Sequence, residues 1–393
     1  VLVTGCTRAG EHPYCHPRVC WIAMYRFALC AAIILFATLV SRPVRADIIV
    51  GTSGPFSGAN AALGEQLRRG VQRAIDDINA TGGLRGERLV LKAIDDGCDP
   101  KKAVDAATQL VSSNAAVVVG HYCSGASIPA SKVYEAAGIV QISPSSTHPR
   151  FTDDGGWNVL RICPRDDAQG TAAGLRVVSR GANTRIALLN DQSPSSLALV
   201  AKVREALDTA GITPVIDESY KPGAKEYADL AQRLRNAGTD IVYLGGTYVE
   251  SALIVRELRG MGSSAQFISG DALVTEDFWN MAKEAAEGTL MTFMFDPQKL
   301  DEARPVIERF KTDGFVPEGH TLYAYAALEA WVKAAEATGG TDSHRIASWL
   351  RAGNRIRTVT GEIAFDTKGD LAAPRIAWYR WSDGRYMEET PAP

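Results

Sequence analysis

The stretch Ala116–Ala130, AVVVGHYCSGASIPA, sets an imidazole, a thiol and a hydroxyl within four positions, at His121, Cys123 and Ser124. These are the parts of an activated nucleophile: a base, a sulfur that attacks as thiolate, and a neighbouring donor. The spacing does not support that chemistry. His121 and Cys123 stand two apart at a strand end, and a catalytic pair needs a third group to orient the base. Cys123-Ser124-Gly125 does not fit the G-x-S-x-G elbow of hydrolases. Gly51-Thr52-Ser53-Gly54-Pro55 lacks the Gly-Lys-Ser/Thr ending of a phosphate loop, and no G-x-G-x-x-G follows the first apolar run. After residue 46 the histidines are His121, His148, His320 and His344, with no H-E-x-x-H or paired His/Cys spacing for a metal. No catalytic residue, cofactor or metal is expected. Cys123 has a better partner in Cys98, which ends the preceding strand 25 positions earlier within Asp95-Asp96-Gly97-Cys98-Asp99-Pro100. Neighbouring parallel strands would bring both loops to one edge. A disulfide there would remove the thiol from nucleophilic chemistry. The cluster then reads as a surface that holds a ligand and releases it unchanged.

Such loops need a scaffold, and the pattern supplies one. From Asp47 onward, short apolar runs alternate with helix-period segments. Runs at 48–50, 89–94 and 116–119 lead into helices near 63–78, 101–112 and 127–137. The series continues with helix 168–180, strand 185–189, helix 195–210, strand 213–217, helix 226–237, strand 240–244, helix 249–261, strand 265–268 and helix 274–286. Strand–helix alternation predicts parallel sheets covered by helices on both faces. The strands are too many for one compact sheet, and a break near Arg161–Gln169 divides the chain, so two α/β lobes are expected. Six loops follow strands and share a Gly-, Ser- or Thr-rich chemistry: GTSGPFSGANAAL, GHYCSGAS, SPSSTHP, NDQSPSS, GGTYVES and SGDALVTED. Any one of them serves as an ordinary cap or turn. Six on two lobes point to a shared cleft beyond the carboxyl ends of the strands, where helix starts favour anions.

The 393 residues are 46% hydrophobic and 22% charged, with a net charge of −3. That is ample for two cores and not basic enough for nucleic acid. Residues 24–46 are expected to be a cleaved signal peptide: Met24-Tyr25-Arg26, an apolar run from Phe27 to Val40, then Val44-Arg45-Ala46 at the cleavage site. Residues 1–23 are expected to be a mis-annotated N-terminal extension. Five arginines and one glutamate leave with these segments, so of 42 basic and 45 acidic residues 37 and 44 remain, a net of −7. Cys98, Cys123 and Cys163 are the cysteines left for an oxidising compartment.

The stretches SGPFSG, RRGVQRAIDDINATGGLRGERL, DDGCDPKKAV, VVGHYCSGASIPAS, ISPSST, DDAQGTAA, DIVYLGG, Tyr323–Trp331 and DTKGDL carry a resemblance over nearly all of Asp47–Met387. In these the chain resembles the periplasmic leucine/isoleucine/valine-binding proteins of ABC transporters. The resemblance implies a type I periplasmic binding fold: two doubly wound parallel-sheet lobes joined by three crossover segments, closing on a ligand. It also implies the Cys98–Cys123 disulfide. Breaks near Arg161–Gln169, Met294–Pro297 and Val359–Ile363 are expected to be the crossovers. Lobe 1 is then 47–164 plus about 297–358, and lobe 2 is 165–296 plus about 359–393.

Carried over residue by residue, the resemblance implies that Ser124 binds a ligand carboxylate. Ser145, through its backbone, and Thr147 hold the polar head. Asp271, one methylene shorter than the glutamate of better-known members, receives an ammonium. Asp271 alone would read equally well as an N-cap before helix 274–286. The side-chain pocket departs from the family. Leu63, Ser195 and Thr247 stand where tyrosines are expected, Tyr248 is placed to compensate for the last, and His320 takes an aromatic position. Tyr122 and Tyr248 are carried as pocket residues beside a packing alternative. The expected function is a periplasmic, monomeric solute receptor. It delivers an aliphatic, first of all branched-chain, amino acid to the ABC permease subunits of the inner membrane. The alternatives are an amide, a GABA-like amino acid or an aromatic carboxylate in the same transport role, a ligand sensor, and an extracellular enzyme.

Overall fold

The computed structural model describes residues 46–389; the expected extension, the expected leader up to Arg45, and the last four residues lie outside the described residues. The first lobe is built from β1 (Ile48–Gly54), α1 (Ala61–Ala80), β2 (Leu89–Asp95), α2 (Pro100–Ser112), β3 (Ala115–Gly120), α3 (Ser124–Ala137), β4 (Val140–Ser143), α4 (Arg150–Asp153) and β5 (Val159–Arg161). The second follows with α5 (Asp166–Val178), β6 (Ile186–Asn190), α6 (Pro194–Thr209), β7 (Ile216–Ser219), α7 (Ala228–Asn236), β8 (Ile241–Gly245), α8 (Tyr248–Gly260), β9 (Gln266–Ser269), α9 (Glu276–Ala282) and β10 (Leu290–Met294). The chain then gives α10 (Arg304–Thr312), α11 (Thr321–Thr338), α12 (Ser343–Arg351), β11 (Ile356–Thr358), β12 (Gly361–Ile363), β13 (Ile376–Ser382) and β14 (Arg385–Glu388).

Local chemistry explains most boundaries. Asp99 caps α2 by accepting from the Lys101 and Lys102 N–H groups, with Pro100 in the first turn. Gly138 ends α3 in the left-handed region at φ 73°. Strand β3, AAVVVG, is apolar along its length because helices cover both faces of its sheet. The apolar stripe of α1 (Leu67, Val71, Ala74) packs on α11, and Gly70 lets the two helices approach closely. The helix expected over 274–286 is divided. Its α part stops at Ala282, Lys283 turns to φ 53°, and a single 3-10 turn follows before β10. Local propensity favours a continuous helix there, and the need to enter β10 at Leu290 overrides it.

The first sheet runs β2-β1-β3-β4-β5, all parallel. The second runs β14-β13-β10-β9-β8-β6-β7, and its five parallel strands repeat the same order before antiparallel β13 and β14 complete the edge. In each sheet the order reverses around the first strand, the topological switch point that opens a crevice at the carboxyl ends. Helices α10–α12 return to the first lobe: Arg309 pairs with Asp77 on α1, and α11 packs on β3 and β4.

The chain passes between lobes at Ile162–Arg165, again after Met294, and a third time later than expected. Residues 356–363 form a hairpin. Residues 366–370 then fold back on the first lobe, where Gly369 O accepts from the Arg161 N–H and Asp370 pairs with the buried Arg161 guanidinium. The third passage therefore lies at about 372–375, just before β13, and not at 359–363. A buried arginine needs an anion, and among the described residues the returning loop supplies it as Asp370.

Candidate functional site

The chemistry suspected at His121 is spent on structure. The His121 ring is fully buried, with Nδ1 2.6 Å from Asp96 Oδ2 and Nε2 2.8 Å from the Tyr134 hydroxyl. Cys98 and Cys123 form a disulfide with their Cα atoms 5.4 Å apart. Their strands, β2 and β3, are not neighbours, because β1 lies between them. The loops meet across the end of β1, where the Ser53 hydroxyl also donates to Asp96. Cys163 is a buried free thiol whose pKa burial pushes well up, so it is no nucleophile.

Loops from the carboxyl ends of both sheets enclose a cavity of about 500 Å³. The first lobe contributes Leu63, Tyr122, Ser124, Ser145, Thr147 and His320. The second contributes Asp191, Ser195, Thr247 and Asp271. Among the described residues no lysine or arginine lines it. Ser124 opens α3, a helix start whose first N–H groups lack intrahelical partners. Its hydroxyl accepts from the His148 N–H at 3.1 Å and from the Ser195 hydroxyl at 2.9 Å. Ser195 also receives the Thr147 hydroxyl at 3.4 Å, so two first-lobe residues meet the second lobe at this point. The Ser145 hydroxyl donates to Tyr122 O, and Thr247 donates to Glu250.

Asp271 starts a 3-10 turn after β9, and Thr275 caps α9, so the N-cap role does not fall to Asp271. The residue is 8% exposed, and burial raises its carboxyl pKa from 3.8 to about 6. Gln169 Nε2 donates to it at 3.2 Å; Thr292 holds the other end of that amide, donating to Gln169 Oε1 at 2.9 Å. Tyr248 is the exception among the expected residues. It does not line the cavity; its hydroxyl donates to Ala59 O at 2.7 Å and ties the lobes together. Gln66, donating to Val274 O at 2.8 Å, and Glu318, accepting from Thr275 and the Glu276 N–H, add further ties. Desolvation raises Glu318 to about 7.

A family model described as periplasmic binding protein matches residues 47–385. The chain belongs to the periplasmic binding protein family. It is 38% identical over 369 residues to an amino acid binding protein of Pseudomonas aeruginosa, covering 93% of this chain and 98% of that one. It is 37% identical over 344 residues to Leu/Ile/Val-binding protein homolog 1 of Brucella suis biovar 1, covering 87% and 93%. An ABC transporter substrate-binding protein of Desulfitobacterium hafniense, solved in complex with Leu, superposes with a TM-score of 0.71 at 26% identity, over 87% of this chain and all of that one. The family is one of substrate-binding proteins, not of enzymes, and the type I fold follows with it.

In this binding protein, sequence reasoning missed the groups behind the wall. Asp166, the first residue of α5, is fully buried with neither carboxyl oxygen hydrogen-bonded. The Thr147 and Ser195 hydroxyls stand near enough to favour its charged form but not in bonding geometry, whereas burial and the neighbouring Asp271 push its pKa well up. Asp166 and Gln169 both lie in the DDAQGTAA stretch, the one sequence signal that pointed at them. His320 was read only as an aromatic substitute.

Proposed function

We propose that this chain is a periplasmic substrate-binding protein of an ABC importer, and that it takes an α-amino acid in the cavity between its lobes for delivery to membrane permease subunits. The observation that carries the reading is Asp271, a buried carboxylate on the wall of a cavity to which, among the described residues, no lysine or arginine contributes. A carboxylate taken out of water needs a cation, and a ligand ammonium supplies it. The start of α3, with Ser124, offers the ligand carboxylate its place from the opposite lobe. A ligand with charge at both ends then joins the lobes. An aromatic acid without an ammonium would leave Asp271 unpaired, so the amino-acid reading is preferred. Leucine, isoleucine and valine are the first ligands to try, from the names of the relatives. A cavity of about 500 Å³ walled by Ser195 and Thr247 has room for longer or more polar side chains. The test is a thermal-shift screen of refolded, ligand-stripped protein against amino acids, amides and aromatic acids. A ligand at a hundred times its Kd raises stability by about 2.7 kcal/mol. Stabilisation by aromatic acids and by no amino acid would reject the reading.

A further inference from the structure

His320 lies at the start of α11, on the cavity wall, 1% exposed. Its ring packs edge-on against Tyr122 and Phe293, both at 5.1 Å between centroids. Nδ1 is 2.8 Å from the Tyr122 hydroxyl, while Nε2 has no hydrogen-bond partner and sits 3.9 Å from Asp271 Oδ2. Burial lowers this imidazole to about 3 and pushes the Tyr122 phenol well up, so the pair is neutral at any working pH.

Counting partners fixes the tautomer. If Nδ1 carried the proton and donated to Tyr122, the phenol hydrogen and the Nε2 lone pair would both be unmatched among the described residues. If Tyr122 donates to Nδ1, only Nε2–H is left over, on a ring that belongs to the cavity wall and 3.9 Å from Asp271 Oδ2. Buried polar groups are overwhelmingly satisfied, so the second arrangement is preferred and its remaining donor calls for an acceptor from outside. The wall thus carries a donor and an acceptor 3.9 Å apart, one from each lobe.

We infer that His320 is a ligand-binding residue: its Nε2–H donates to an α-carboxylate oxygen of the amino acid whose ammonium sits on Asp271, with Tyr122 as the positioning residue that holds the tautomer. The inference rests on the amino-acid reading above. An α-amino acid fits because its nitrogen and nearer carboxylate oxygen are separated by only two carbons, so both reach the pair. The second carboxylate oxygen remains for Ser124 and the start of α3. The α-unit is then read from both lobes by a donor and an acceptor, which an amine or an acid alone satisfies only in half.

The experiment is a ligand-by-variant cycle with leucine, or the tightest α-amino acid of the screen, and its decarboxylated amine (3-methylbutylamine for leucine). His320→Phe keeps the edge-on ring packing and removes the donor. The amino acid should bind roughly 10- to 100-fold more weakly to this variant, and the amine should bind as it does to wild type. Tyr122→Phe should give a smaller loss with the same dependence on the carboxylate. Nitrogen-15 NMR of wild type should show protonated Nε2 and bare Nδ1, with the Nε2–H signal moving on addition of the amino acid and not of the amine. Equal losses for both ligands, no loss for either, or a proton on Nδ1 would overturn the inference. If no α-amino acid binds wild type at all, the functional reading falls first and this inference with it.

Discussion

Replacing Asp271 by asparagine removes one charge, keeps the shape, and leaves an oxygen to accept from Gln169. Two opposite effects follow. An aspartate whose pKa is raised from 3.8 to about 6 holds its proton more tightly folded than unfolded. Its charge therefore penalises the ligand-free fold fully above about pH 6, less as pH falls through 6, and not at all below about 3.8. At roughly 1.4 kcal/mol per pKa unit the penalty is about 3 kcal/mol. Asp271→Asn should relieve it, and should also ease the charge that Asp271 imposes on Asp166. Ligand-free variant should therefore melt several degrees above wild type at pH 7.5, with the difference gone by about pH 4. Binding should move the other way, because the ammonium loses a desolvated ionic partner. That costs about 2–5 kcal/mol, a weakening of at least about 30-fold. Wild-type affinity should also fall by up to about tenfold per pH unit below pH 6, as protonation competes with the ligand, and the variant should lack this dependence. Calorimetry with thermal melts across pH reads all of it. A variant that is no more stable at pH 7.5, or that binds the amino acid as tightly as wild type, would refute the reasoning.

Other consequences are separate from the ligand. Mass spectrometry of unreduced protein should show the Cys98–Cys123 bridge with Cys163 alkylated only after unfolding, and reduction should cost about 3 kcal/mol. Asp370→Asn should destabilise by about 3–5 kcal/mol in denaturant titration, because it strips the buried Arg161 of its carboxylate. Gly70→Ala should cost about 1–3 kcal/mol by the same assay, since its Cβ would fall 2.2 Å from Thr321 O where α1 crosses α11.

Much of the architecture was legible because both sheets are built around parallel strands whose central members are covered by helices on both faces. The strands at 48–54, 89–95, 115–120, 186–190, 216–219, 241–245 and 266–269 stand where short apolar runs were read, with helices between them ended by local signals such as Asp99 and Gly138. By contrast, β4, β5 and β10 to β14 were not read from the sequence. Most cavity loops were legible for the same reason: they follow strands, and doubly wound sheets gather those ends on one side, whereas the loop that brings His320 joins two helices. What escaped depends on distant partners. The return of residues 366–370 is dictated by Arg161, two hundred positions away, and no local signal marks it. Helix propensity favoured continuity through Lys283, and the path into β10 broke it. Tyr248 lay next to a loop that does line the cavity, yet its hydroxyl reaches Ala59 instead. His320 was legible as a ring but not as a donor, because its role appears only when Tyr122 and Asp271 flank it. Strand adjacency was the wrong reason for the disulfide: β1 intervenes, and the loops meet above it.

The central claim is that an α-amino acid sits between the lobes with its ammonium on Asp271. A crystal structure of the protein with its tightest ligand from the screen tests this most directly. The account predicts the ligand inside the cavity, its nitrogen within hydrogen-bond distance of the Asp271 carboxylate and its carboxylate at the start of α3. Ligand bound elsewhere, or a nitrogen turned away from Asp271, would contradict it.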